Sequence, residues 1–192
     1  MKKTVFLFLV LLLAILSACK GKSAPAEAAV SSGEGEKHLI IAANPDYESF
    51  DPGITYEPYG STVIHACYDN LFEFQGSLDN LVPAAAERYE ISADGLTYTF
   101  TLHPNIRFIS GNPLTSADVK WSFERAINLK GNAAFMAEGI TGIETPDDST
   151  VILRLREPDP SFPIELAFVF FSILDSKAAA EQGATNAPDA DV

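Results

Sequence analysis

Three histidines, two cysteines and 26 acidic side chains are the groups in this 192-residue chain best suited to catalysis or metal binding, and their spacing supports neither. His38, His65 and His103 lack the i, i+4 pairing and the clustered carboxylates of a zinc site. His65-Ala66-Cys67 is the one pair of soft donors close in sequence, but on a helix residues two apart point away from each other. An exposed histidine beside a core thiol explains the same residues. No Gly-x-Ser-x-Gly elbow, phosphate-cradling glycine loop or dinucleotide-binding turn is present, and Gly33-Glu34-Gly35 reads as linker. In so acidic a chain carboxylate pairs arise by chance, and Asp147-Asp148 reads as a turn. The residues predict no enzyme, no metal and no cofactor. Aromatic rings offer a different chemistry. Tyr47, Phe50, Tyr56 and Tyr59 crowd one stretch, which suits the apolar wall of a solute cleft and equally suits packing beneath a long loop.

The elements that must position such residues are clearest from Glu87 to Leu129. Asp94-Gly95 is a tight-turn signal, because glycine takes positive φ freely and aspartate tolerates it. Before it, Tyr89 and Ile91 alternate with Arg88 and Glu90. After it, Leu96, Tyr98, Phe100 and Leu102 share one strand face while Thr97, Thr99 and Thr101 share the other. The pattern predicts an antiparallel hairpin. Thr115-Ser116-Ala117-Asp118 has capping-box spacing, and Val119, Ser122, Phe123, Ala126 and Ile127 then recur as a buried helical stripe that Gly131 should end. Trp121 and Arg125 fall off that stripe and are expected at a domain edge.

Elsewhere the reading is coarser. Leu39 to Ala43 is a short apolar run, as of a strand buried on both faces. A helix is expected from about Ser61 to Asn70, with Val63, Ala66, Cys67 and Leu71 on one inward stripe; Cys67 is then a buried structural thiol rather than a reactive one. Residues 140–144 and 150–155 flank a polar turn as a second hairpin, with Ile152 breaking the alternation as if that strand were covered on both sides. Phe162 to Leu166 suits a short helix, Phe168 to Leu174 a buried strand, and Asp175 or Ser176 the cap of a helix that runs through Glu181 and stops at Gly183.

Charge and the N-terminus bear on location. The formal net charge of -13 argues against nucleic acid or anionic lipid headgroups as partners. Met1-Lys2-Lys3 and the apolar run from Val5 to Leu16 have the form of a secretory signal, too short to span a bilayer. Leu16-Ser17-Ala18-Cys19 resembles a bacterial lipobox, which makes Cys19 the lipidation site; ordinary cleavage after small residues is the other reading. Lys20 to about Lys37 has almost no large apolar residue and reads as a tether.

The ordered phrase Pro83, Ala86-Glu87, Ser92-x-Asp94-Gly95-Leu96-Thr97-Tyr98-Thr99-Phe100 and Phe108-x-x-Gly111-x-Pro113-Leu114-Thr115-x-x-Asp118-Val119-x-x-Ser122-Phe123-Glu124-Arg125 resembles the signature of family 5 extracellular solute-binding proteins, the oligopeptide, dipeptide and nickel receptors of ABC importers. Tyr68-Asp69-Asn70-Leu71-Phe72-Glu73 matches as well. Members are well over twice this long, so the resemblance implies the N-terminal portion of such a receptor. It implies a mixed α/β fold of the periplasmic-binding-protein type II, incomplete, with the first strand of the main lobe plus an extra α/β domain. The expected divisions are a signal peptide at 1–18, a lipidated tether at 19–37, the first strand and cleft loop at 38–56, the extra domain at 57–183 and a polar tail at 184–192.

In that family a bound peptide takes part of its backbone pairing from the segment after the first strand, which makes Tyr56, Glu57 and Pro58 the candidate ligand-binding residues. The implied partners are a peptide or other small solute, an ABC permease and, through the lipid, the membrane. The implied location is outside the cell membrane or in the periplasm. A nickel, haem or sugar receptor on the same fold, an exported hydrolase, a structural lipoprotein and a truncated product without function stay open.

Overall fold

The computed structural model describes Ile40, Ala42 and residues 49–188. The expected signal peptide, Cys19, the tether, His38, the strand at Leu39 to Ala43 and Tyr47 lie outside the described residues or almost wholly so.

A four-stranded antiparallel sheet and one helix across it organise the described chain. The sheet order is β3-β4-β6-β5, with β3 Ala86–Ile91, β4 Thr97–Leu102, β5 Ile140–Asp147 and β6 Thr150–Leu155. A separate short pair, β1 Phe72–Phe74 with β2 Leu81–Pro83, precedes it. The β3–β4 hairpin turns where Asp94-Gly95 demands: Gly95 has φ 70° and its N–H donates to Ser92 O at 2.8 Å, while Asp94 Oδ1 accepts from Leu96 N–H at 3.1 Å. Tyr98, Phe100 and Leu102 are buried and the intervening threonines only half-buried, as the alternation predicts. In β6, Val151, Leu153 and Leu155 take the inward face. Ile152 is half-buried between Thr99 and Glu144 on the outer face, so the alternation is kept and the expectation of cover on both sides is corrected.

Helix α2, Ser116–Leu129, follows α1, Pro58–Cys67, in chain order and packs on the inward face of the sheet. Its start is capped as the spacing predicts: Asp118 Oδ2 accepts from Thr115 N–H at 2.8 Å. Val119, Ser122, Phe123 and Ala126 are buried. Its end differs from the expectation. Lys130, not Gly131, takes the left-handed conformation, at φ 53°. Gly131 has another duty, because a Cβ there would lie 2.2 Å from Gly53 O; only glycine lets the segment around Gly53 lie against the end of α2.

The core gathers rings from both sides of the chain. Phe123 meets Phe171 at 4.9 Å between centroids, and Tyr98 meets Phe162 at 5.1 Å, both edge to face. Of the apolar run from Phe168 to Leu174, Val169 to Ile173 are buried as predicted while Phe168 is exposed, and the run is not a strand. It forms a 3-10 turn at Val169–Phe171 and then extends, its backbone satisfied piecemeal: Asn70 Nδ2 donates to Phe168 O at 2.6 Å and to Leu166 O at 3.2 Å, Ile173 N–H donates to Asp69 O at 2.9 Å, and Leu174 N–H donates to Ser122 Oγ at 2.9 Å. Two short helices complete the body, α3 Phe162–Glu165 and α4 Ser176–Glu181. The second is capped by Asp175, which accepts from Ala178 N–H at 3.0 Å. Among the described residues no helix is long and apolar enough to cross a membrane.

Candidate functional site

The segment from Ser49 to Pro58 is shaped by its own turn chemistry. Asp51 O accepts from Ile54 and Thr55 N–H at 3.0 Å each, Asp51 Oδ1 accepts from Gly53 N–H at 3.0 Å, and the buried Thr55 donates its hydroxyl to Ser49 O at 2.6 Å. The chain therefore reaches Tyr56 in a defined direction. Glu57, in extended conformation, is the N-cap of α1 and Pro58 its first residue, where a missing N–H costs nothing.

Of the three candidates, Tyr56 is 57% exposed and Pro58 is exposed. Glu57 turns back: Oε2 accepts from Tyr56 N–H at 3.2 Å, and Oε1 is buried without a hydrogen-bond partner in a notch where a Cβ on Gly60 would lie only 2.3 Å away. Glu57 thus holds the local backbone rather than presenting its charge.

Tyr56 stands at the mouth of a hollow of about 230 Å³ whose walls include Thr55, His65, Ala133, Met136, Phe168 and Phe170. The ring of Phe135, itself 55% exposed, meets Tyr56 edge to face at 5.9 Å. Phe168, 44% exposed, forms a third aromatic rim. Burial holds His65 below its ordinary pKa, which favours the uncharged imidazole at this wall. The arrangement offers apolar contact and ring stacking, with hydroxyl and imidazole groups as the polar anchors. Its size suits one side chain or one end of a small solute.

Of the residues around this hollow the sequence singles out Tyr56; Phe135, Met136 and Phe168 are brought to it by the fold. The one available signal was the apolar phrase Ala133-Ala134-Phe135-Met136 in a stretch without helical or strand period. Phe50 and Tyr59 share the segment but do not line this hollow. His103 is exposed elsewhere.

A larger hollow of about 580 Å³ lies beyond the other end of α1, between Cys67, the hairpin at Ile106 to Ser110, and Ile173. None of the predicted ligand residues reaches it. Cys67 is exposed at its edge, contrary to the expected core thiol. The helix ends at Cys67, the extended Tyr68 breaks the presumed stripe before Leu71, and Gly60 and Ile64 are the inward face instead. Arg125 contacts segments on both sides of its own. It is 9% exposed and pairs with Asp51, Nη2 to Oδ2 at 2.6 Å, with the Trp121 ring 5.8 Å from its guanidinium carbon. Among the described residues no three His, Cys, Asp or Glu side chains converge as a metal site would require.

Comparison with known proteins assigns this architecture. The model of bacterial extracellular solute-binding proteins, family 5, matches residues 80–190. A putative ABC transporter peptide-binding protein of Brucella ovis is 39% identical over 104 residues, covering 53% of this chain and 20% of its own. Di/tripeptide-binding protein 4 of Pseudomonas aeruginosa is 31% identical, covering 78% of this chain and 33% of its own. Among solved structures, the periplasmic binding protein AgaA from A. tumefaciens R10, in complex with agropinic acid, superposes with a TM-score of 0.65 at 33% identity over 76% of this chain and 29% of its own. The chain spans at most about a third of the length of these relatives. With its mixed α/β fold matched by periplasmic binding proteins and its family model covering more than half of the residues, the chain belongs to the bacterial extracellular solute-binding proteins of family 5.

Proposed function

We propose that the protein belongs to the solute-capturing component of an ABC importer, that its ligands are peptides, and that it performs no chemistry on them. The observation that carries this reading is the exposed edge-to-face pair of Tyr56 and Phe135 at the mouth of an apolar hollow, in a chain of this family. Exposed rings at a concave surface gain from stacking on a solute what they forgo in the core. The names of the Brucella and Pseudomonas relatives support peptides as the ligand class.

In this reading residues 38–56 begin a ligand-bearing lobe, residues 57–183 form the extra domain, and the residues at 1–18 and Cys19 serve export and lipid anchoring outside the cell membrane. Solute held between two lobes shifts an open–closed equilibrium, and the closed form docks on the permease. A non-peptide solute is the second reading, favoured by the likeness to a structure that holds agropinic acid.

Isothermal titration of the protein expressed from its intact gene, with a library of di- to pentapeptides, with an opine acid and with chelated nickel, separates these. Heat from the peptides alone supports the proposal; heat from nickel or the opine acid alone overturns its choice of ligand.

A further inference from the structure

Arg125 sits where two distant segments cross the C-terminal half of α2. One arrives before α1: its Asp51 carboxylate takes Nη2 at 2.6 Å. The other lies past α4: Thr185 O accepts from Nη1 at 2.6 Å. The neighbouring contacts repeat the pattern. Asn128 Nδ2 donates to Asn186 O at 2.6 Å and Asn186 Nδ2 donates to Glu124 Oε2 at 2.9 Å, while Gly53 and Gly131 let the incoming backbone touch the end of α2.

A guanidinium is planar and presents its two Nη groups in fixed directions, so one side chain can hold two acceptors at once. The Arg125 side chain is nearly buried, so little water is at hand to replace either partner. Asp51, the acceptor on the incoming side, also sets the turn through Gly53, Ile54 and Thr55 that delivers Tyr56 to its hollow.

We propose that Arg125 is a positioning residue for the ligand-facing segment: one guanidinium fastens residues 51–56 and 185–187 to α2 together, so that the two segments open and close as a single unit. The consequence for ligand binding rests on the reading of Tyr56 given above; the joint fastening does not. Removing one partner of a largely buried ion pair leaves a charge without compensation, which loosens whatever the pair was holding. If the guanidinium is the shared fastener, loss of the Asp51 charge is felt at Thr185 as well.

Amide hydrogen exchange on wild type, Arg125→Ala and Asp51→Asn tests this, with thermal unfolding alongside. Asp51→Asn keeps an oxygen for Gly53 N–H and preserves the turn. In both variants the amides at 53–55 and that of Ala187, which donates to Thr185 Oγ1 at 3.1 Å, should exchange at least about tenfold faster than in wild type, while the β4 amides keep their protection. Acceleration at 53–55 with Ala187 unchanged in Asp51→Asn overturns the joint fastening, as does unchanged exchange at 53–55 or at Ala187 in Arg125→Ala. Should Arg125→Ala lose protection throughout, Asp51→Asn alone decides. Titration with the tripeptide Ala-Phe-Ala adds the ligand arm. Wild-type binding that Asp51→Asn weakens several-fold supports the positioning role, and equal binding by both overturns it. Absence of binding to wild type counts against the peptide reading, and exchange alone then decides the fastening.

Discussion

Tyr56 and Phe135 meet edge to face with their ring planes at 86°, although one precedes α1 and the other follows α2, and both remain more than half exposed. Rings placed this way contribute little to the core, so truncating either should affect binding more than folding. Tyr56→Ala and Phe135→Ala should each weaken solute binding by several-fold to about tenfold, since an aromatic pair is worth roughly 0.5–1.5 kcal/mol beyond the area it buries. Melting temperature should move little. Titration calorimetry and thermal unfolding on the same samples check both halves of the expectation.

Gly131 and Gly139 make a matched contrast. A Cβ at Gly131 would fall 2.2 Å from Gly53 O, against backbone that cannot swing away, whereas nothing lies within 4 Å of one at Gly139. Gly131→Ala should destabilise by about 1–3 kcal/mol, the usual cost of overpacking, and Gly139→Ala should be near neutral. Urea unfolding distinguishes them.

Two carboxylates should give stability opposite pH dependences. Burial pushes the Asp175 carboxyl up, but hydrogen bonds from Ala178 N–H, Ser110 and Asn112 outweigh it and hold the group below its ordinary 3.8. Its contribution is therefore present above 3.8 and lost as pH falls through the lower folded value. Glu165 is pushed above its ordinary 4.5, first by burial and then by Asp159. It favours the fold below 4.5 and loses that contribution as pH rises through the folded value. The deficit of Asp175→Asn relative to wild type should shrink in acid, and any gain from Glu165→Gln should grow as pH rises out of the acid range. Thermal melts from pH 3 to 7 supply the comparison.

Cys67, exposed at the end of α1, should react with a maleimide in the native protein without denaturant. Peptide mapping that finds Cys67 unlabelled until the protein is unfolded would restore the buried-thiol expectation.

What was legible in the chain depended on the range of the interaction. The β3–β4 hairpin, the Thr115–Asp118 cap and the Asp175 cap rest on contacts within a few residues, where turn and cap chemistry is written in adjacent side chains. The partner of Arg125 was not legible, because Asp51 is far away in sequence and helical period says nothing of it. The stretch after Phe168 looked like a strand because apolar runs do not reveal whether a ladder or scattered partners such as Asn70, Asp69 and Ser122 satisfy the backbone. The candidate site divides the same way: the family resemblance pointed to Tyr56 through its own segment, whereas Phe135 and Phe168 reach it only through the tertiary fold.

In the proposed function, solute is gripped at the hollow beside Tyr56. Photo-crosslinking with a short peptide that carries a benzophenone side chain, followed by mass spectrometry, tests it most directly. Label on Tyr56, Phe135, Met136 or Phe168, competed away by unlabelled peptide, is the predicted result. Competable label confined to the larger hollow at Ile106 to Ser110, with none around Tyr56, would contradict it.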